Sequence, residues 1–187
     1  LTSVTIPDSV TTIGDWAFSL CVRLGDITIG SRVSSIGEYA FRWCSFNSIT
    51  LPDSMTTIGT SAFRECTNLT SIIIPNSVTT IEPYAFTGCT SLTSVVIPNS
   101  VTSIGEYAFC GCTSLASITL PKSVTAICSR AFYECDGLKN VVFEDIAGWY
   151  IADYRGYTIV QDADVSNSAA VAKLLVNKYN YEYWYKK

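Results

Sequence analysis

"IPNSVTTIEPYAFTGC", residues 74–89, and "IPNSVTSIGEYAFCGC", residues 97–112, decide how this chain is read. Taken alone, the first stretch gathers hydroxyls, a carboxylate, a phenol and a thiol, as a reactive site would. Its near-copy 23 residues further on marks it as a building unit. Working outward in both directions, repeats begin at Leu1, Leu24, Phe46, Leu69, Leu92 and Leu115, and a seventh opens at Leu138. The spacing is 23 residues, except for one of 22 before Phe46.

Inside each repeat the apolar period changes. "LTSVTIP" alternates, with Val4 and Ile6 on one face and Thr5 on the other, which predicts a half-buried strand. Pro7 ends it, having no N–H to donate to a ladder. "IGDWAF" then places Ile13, Ala17 and Cys21 four apart, which predicts one or two helical turns. A single repeat holds too few apolar side chains to offset ordering at about 1–2 kcal/mol per residue, so neighbouring coils must share one core. The expected fold is therefore an α/β repeat solenoid: a short strand, a turn and a short helical turn per coil.

The chain has 187 residues, of which 48% are apolar and 15% charged, which suits a large shared core. The net charge of −4 and scattered basic residues argue against nucleic-acid binding. No apolar run is long enough to span a bilayer, and no signal peptide is visible. There is no histidine, which closes imidazole ligation and the commonest acid–base and nucleophile-activation routes.

The wording [IL]-P-x-S-[VM]…I-G…A-F-x-x-C, carried by residues 1–143, closely resembles a leucine-rich repeat and, more narrowly, the BspA-like repeats of bacterial and some protozoan surface proteins. The resemblance implies a right-handed superhelix acting at the cell surface or outside the cell, in non-catalytic recognition or adhesion to proteins or glycans of host or neighbouring cells. It implies no cofactor and no enzyme activity. A monomer with no membrane insertion in this segment is expected. A structural spacer displaying other domains is the alternative. Ice binding by regular Thr rows is a further reading, opposed by apolar breaks at Ile73, Val96 and Val142.

The polar groups divide into rows. Cys21, Cys44, Cys66, Cys89, Cys112 and Cys135 share one repeat position and are expected to form an inward structural ladder of free thiols. Cys110 and Cys128 lie outside it, and in "CGC" at 110–112 one thiol is expected to face in and the other out, so no metal is expected. Ser9, Ser54, Ser77, Ser100 and Ser123 stand where leucine-rich repeats place a turn-bonding Asn, with Arg32 in the second repeat. Asp15, Glu38 and Glu106 are expected to complement a helical turn's dipole. On the strand face Thr28, Thr50, Ile73, Val96 and Thr119 point outward and are the candidate ligand-binding row, with Ile73 and Val96 forming an apolar patch. Trp16, Tyr39, Tyr84 and Tyr107 form an aromatic stripe, expected as half-buried edges, that could alternatively stack on sugars.

The ends differ. Leu1 already occupies the first repeat position, so further repeats or a cap are expected upstream. Residues 144–187 leave the pattern and hold seven Tyr and two Trp; they are expected to form an α+β C-terminal cap. Within it "SNSAAVAKLLVNKY" predicts a helix capped by Ser166 or Ser168, with Val171, Leu174 and Leu175 inward, between two strand segments. "DADVSNS", with oxygens at Asp162, Asp164 and Ser166, begins like a calcium loop but lacks its Gly and final Glu, and reads as a turn.

Overall fold

The computed structural model describes residues 1–152, 159–162, 166–176 and 183–186. It is a β-solenoid of about six coils. In chain order its elements are β1 (Ser3–Ile6), β2 (Thr12–Ile13), β3 (Asp26–Ile29), β4 (Ser35–Ile36), β5 (Thr57–Ile58), β6 (Ser71–Ile73), β7 (Thr80–Ile81) and β8 (Ser94–Val96). There follow β9 (Ser103–Ile104), β10 (Ser117–Leu120), β11 (Ala126–Ile127), β12 (Asn140–Phe143), β13 (Trp149–Ala152), β14 (Ile159–Asp162), α1 (Ser168–Val176) and β15 (Tyr183–Lys186).

The alternating heptads form the first wall, in which parallel register stacks identical positions: Val4 on Ile27, Ile72 on Val95, Ile118 on Val141. The proline then starts a β-turn, with Val10, Met55, Val78, Val101 and Val124 each donating back to the proline carbonyl at 2.9–3.1 Å. After it the chain makes a second, two-residue strand that periodicity alone does not reveal. These pair as β2–β4–β5 and β7–β9–β11, forming a second parallel wall.

The expected helical turns are absent. The Gly-x-x-Ala-Phe segment is instead a run of tandem β-turns. Ala17, Ser19 and Cys21 each donate to the carbonyl three residues back, while Trp16, Phe18 and Leu20 donate across to Glu38, Ala40 and Arg42 of the next coil at 2.8–2.9 Å. Alternate amides thus close turns and bond coils, and a third hydrogen-bonded wall results. The geometry requires left-handed backbone twice per coil, at positions sixteen and twenty: Trp16 and Leu20, Tyr39 and Trp43, Ser61 and Glu65, Tyr84 and Gly88, Tyr107 and Gly111, Arg130 and Glu134 all have φ between 54° and 73°. Two turns advance the chain by four residues, so inward residues keep a spacing of four without a helix. That coincidence is why the period misled. The dipole role expected for Asp15 falls with the helix; its Oδ1 instead accepts the Glu38 N–H at 2.7 Å.

Between the walls lies one core. Phe18, Phe41, Phe63, Phe86, Phe109 and Phe132 stack coil on coil with ring centroids 5.4–5.5 Å apart and planes within 13°. Such pairs contribute about 0.5–1.5 kcal/mol each beyond the area they bury. Phe46, where other repeats carry Leu, fits edge-on between Phe41 and Phe63. It follows the one coil that is a residue short, residues 24–45, and its own coil makes no strand at 48–50.

Beyond β12 the chain folds back. β15 pairs antiparallel with both β11 and β13, bringing Trp184 beside Ile127, where its ring is buried. Asp145 forms an ion pair with Lys186, and Trp149 donates its indole N–H to the Asp145 carbonyl at 3.0 Å. Helix α1 lies against β12 with Val171, Ala172 and Leu175 buried. Leu174, expected inward, is exposed, and Ala172 takes its place. The cap of α1 is neither serine: Asn167 Oδ1 accepts the Ala170 N–H at 3.1 Å. Of the calcium-like turn, Asp164 lies outside the described residues.

Candidate functional site

The first wall places Thr28, Thr50, Ile73, Val96 and Thr119 outward and exposed, in one row with Val142. Ile73 is 68% exposed and Val96 52%, and β6 and β8 set them side by side in register. Serines and Asp26 flank the row at the other outward position. The wall is not smooth. No hydrogen-bonded pairing joins β8 to β10, and a cleft of about 380 Å³ opens between Thr93–Ile97 and Ser117–Thr119, with Glu144 at its rim. A second cleft of about 360 Å³ opens between residues 48–51 and β6. The apolar pair Ile73 and Val96 stands on the ridge between them. Sequence periodicity shows the row but not the clefts, because the breaks in the ladder come from the strandless stretch 48–50 of the third coil and from the missing pairing between β8 and β10.

The hydroxyl-rich repeats are mostly clamps. Ser34, Thr102 and Thr125 each donate to the carbonyl of the equivalent residue one coil back, at 3.2–3.3 Å. Of the serines at the turn-bonding position, Ser54 reaches the carbonyls of Ser31 and Val33 at 2.8 and 2.7 Å, and Ser100 that of Val78 at 2.7 Å. Ser123 Oγ is buried with no partner, while Ser9 and Ser77 are exposed.

All eight cysteines are free thiols. Cys44, Cys66, Cys89, Cys112 and Cys135 each give the thiol hydrogen to the phenylalanine carbonyl of the preceding coil, at 2.9–3.3 Å. Burial pushes the Cys44 and Cys89 thiols up to about 12, and those of Cys66 and Cys112 well above the ordinary thiol range. Cys110, expected to face out if Cys112 faces in, is also buried, at the position that Arg42 and Arg64 fill in earlier coils, and burial lifts it to about 12. Cys128 is raised by the same cause. Such thiols hold almost no thiolate at neutral pH and are poor nucleophiles. Among the described residues no three His, Cys, Asp or Glu side chains gather as a metal site would need, and no helix is long and apolar enough to cross a membrane.

On the turn wall the aromatic stripe forms two stacks, Trp16 on Tyr39 at 4.1 Å and Tyr84 on Tyr107 at 4.9 Å, separated by the fully buried Ser61. Trp16, expected half-buried, is exposed on the outer side of its stack. Arg42 lies over Tyr39, Arg64 over Tyr84 and Arg130 over Tyr107 at 5.3–5.8 Å. The basic residues that look scattered in sequence are therefore ordered here: Arg42 and Arg64 fill position nineteen of adjacent coils. Aligning repeats by position, rather than scanning for runs, reveals that pair.

Stacked parallel strands, in-register turns and a shared Leu/Phe interior define a leucine-rich repeat solenoid. The chain belongs to the family described as "BspA type Leucine rich repeat region", matched in six copies over residues 1–90 and 79–154. Such repeats are typically non-enzymatic and generally mediate protein interactions. Among solved structures, a leucine-rich repeat protein from Eubacterium ventriosum is 32% identical with a TM-score of 0.56, covering 72% of this chain and 43% of its own. A leucine rich cell surface protein from Faecalibacterium prausnitzii is 27% identical with a TM-score of 0.42, covering 75% of this chain and 53% of its own. The chain thus spans about half the length of these proteins. Comparison with curated proteins gives no match.

Proposed function

We propose that the chain is a non-catalytic recognition module of a bacterial surface or secreted protein, binding macromolecules of host or neighbouring cells through its strand wall. The observation that carries this reading is the exposed Ile73–Val96 ridge between two clefts. A hydrophobic ridge flanked by two clefts suits a partner surface whose apolar groups meet the ridge while its protruding side chains enter the clefts. Thr28, Thr50 and Thr119 extend the contact along the wall. Membership of the BspA-type family supports the surface location.

Residues 1–143 are the solenoid in this reading, and 144–187 its terminal cap. Support for the cap comes from β15 occupying the edge of β11, from buried Trp184, and from α1 lying along β12. An uncovered edge strand would invite pairing with other chains.

Surface plasmon resonance against a panel of purified extracellular-matrix proteins tests the reading. At least one should bind, and Val96→Arg or Thr50→Arg should weaken it tenfold or more, as a buried unpaired charge at an interface costs about 1.5–3 kcal/mol. No binding across the panel, or binding indifferent to both variants, returns the molecule to the role of spacer.

A further inference from the structure

Position twenty of every coil is left-handed. Two coils fill it with Gly88 and Gly111, the residue that suits such backbone. The first two fill it with Leu20 and Trp43, at φ 62° each, with Leu20 63% and Trp43 39% exposed. A left-handed L-residue costs about 1–2 kcal/mol, and the exposed part of a large apolar side chain recovers none of it. Strain held at side chains that still face solvent is what a binding surface shows.

What surrounds Trp43 indicates the ligand. Among the described residues no ring stacks on its indole, unlike Trp16, Tyr39, Tyr84 and Tyr107. Arg42 precedes it, with its guanidinium over Tyr39, and the Arg64 carbonyl accepts its N–H at 3.0 Å, with the Arg64 guanidinium reaching over Tyr84. Neither guanidinium has an ion-pair partner among the described residues. Glu65, which follows Arg64, lays its carboxylate over Gly88, where an added Cβ would meet it at 2.6 Å. The cluster is polar and unsaturated inside: Nε of Arg42, Nε of Arg64, and Oγ of Ser19 and Ser61 are buried without a hydrogen-bond partner.

We propose that this part of the turn wall, centred on Trp43, Arg42 and Arg64, is a binding site for an acidic polysaccharide. One pyranose ring lies on the exposed edge of the indole, and the sulfates or carboxylates along the sugar chain are held by the two guanidiniums. Arginine forks match such oxyanions. The exposed edges of Leu20 and Trp16 continue the apolar strip to the neighbouring coil, as a chain of sugars requires. An acidic peptide fits less well. The wall's backbone amides at positions sixteen, eighteen and twenty are already spent on coil-to-coil bonds, so none is offered to a peptide main chain.

Isothermal titration of the chain with heparin fragments, polygalacturonate oligomers, neutral dextran and poly-glutamate tests the site. At least one acidic glycan binds, its affinity falling as salt rises, and dextran does not. The two acidic glycans distinguish a sulfate from a carboxylate requirement. Arg42→Gln with Arg64→Gln weakens binding about tenfold or more. Trp43→Gly is the variant that separates binding from folding: relief of left-handed strain offsets part of the packing lost with the indole, so a cooperative melt is kept while affinity falls about fivefold. Absence of binding to both acidic glycans, poly-glutamate binding as tightly as either, or unchanged affinity in Trp43→Gly overturns the proposal. Should the double arginine variant fail to fold, Trp43→Gly still decides.

Discussion

The strand wall and the turn wall are built from the same repeats yet solve coil stacking in opposite ways. The strand wall uses relaxed extended backbone and β-branched residues, and its ladder breaks twice, leaving clefts. The turn wall keeps its coil-to-coil hydrogen bonds from first coil to last, and does so with ten non-glycine residues in left-handed backbone. Low local strain has gone with interruption, and high strain with continuity. What sustains the strained wall lies directly beneath it: the phenylalanine stack and the thiols, which the strand wall lacks.

The largest test of this contrast removes one ring. Phe86 stacks between Phe63 and Phe109 with no exposure. Phe86→Ala should cost about 3–5 kcal/mol and lower the melting temperature by roughly 10 °C. Ile73→Ala, an apolar deletion on the exposed ridge, should stay within about 0.5 kcal/mol of the parent. If calorimetry found comparable losses for both, the asymmetry between the walls would be wrong.

That asymmetry also explains what could be read before the fold was known. Repeat length, the first strand, the outward row from Thr28 to Thr119 and the inward cysteines all follow from side-chain period and spacing, which report which residues share a face. Period does not report how the backbone gets there. Ile13, Ala17 and Cys21 share a face in tandem turns as they would in a helix, so a helix was expected where none exists. The two-residue strands β2 to β11 of the second wall are too short to show any period. Arg42 and Arg64 lie 22 residues apart in the chain, and only stacking makes them neighbours. At the C-terminal end, Asn167 and Ala172 take roles expected for Ser166 and Leu174, because the pitch of α1 on β12 is set by packing against a surface that its own sequence does not encode.

A middle-sized test concerns the thiols. Cys89→Ala removes a buried sulfur and its 3.2 Å bond to the Phe63 carbonyl, a loss of about 1–2 kcal/mol. It should also change the response to alkali. The folded-state thiol, pushed to about 12 by burial, stays protonated where an unfolded thiol ionises near about 8.5. Its contribution is therefore complete below that unfolded value and is lost as pH climbs from there toward 12. Thermal melts at pH 8 to 11, chosen to bracket the unfolded value of about 8.5, should show a fall in stability that is shallower in Cys89→Ala. Parallel slopes for parent and variant would mean the ladder is not protonation-sensitive.

A smaller pair of substitutions probes the left-handed backbone itself. Glu134→Gly should stabilise by about 0.5–1 kcal/mol, the relief of left-handed strain less glycine's entropy. Gly88→Ala should destabilise by about 1–2 kcal/mol, since a Cβ there meets both the φ of 73° and the Glu65 carboxylate. Chemical denaturation reads both. Equal signs for the two would remove strain as the property that distinguishes the turn wall.

The smallest expected effect lies where both strand walls end. Lys186 holds the Asp145 carboxyl below its ordinary range, helped by the Ala147 N–H. A depressed carboxyl stabilises the fold above its unfolded value, 3.8, and that contribution disappears as pH falls through the folded one. Acidification below about pH 4 should therefore loosen β15 first, exposing Trp184 while the phenylalanine stack is still intact. A red shift of tryptophan emission should precede loss of the far-ultraviolet signal, and Lys186→Gln should move that shift to higher pH, because the carboxyl then protonates earlier. Coincident transitions in parent and variant would show that the terminal segment and the coils melt as one unit. The solenoid would then be cooperative across its end, with no separable layer over β11 and β12.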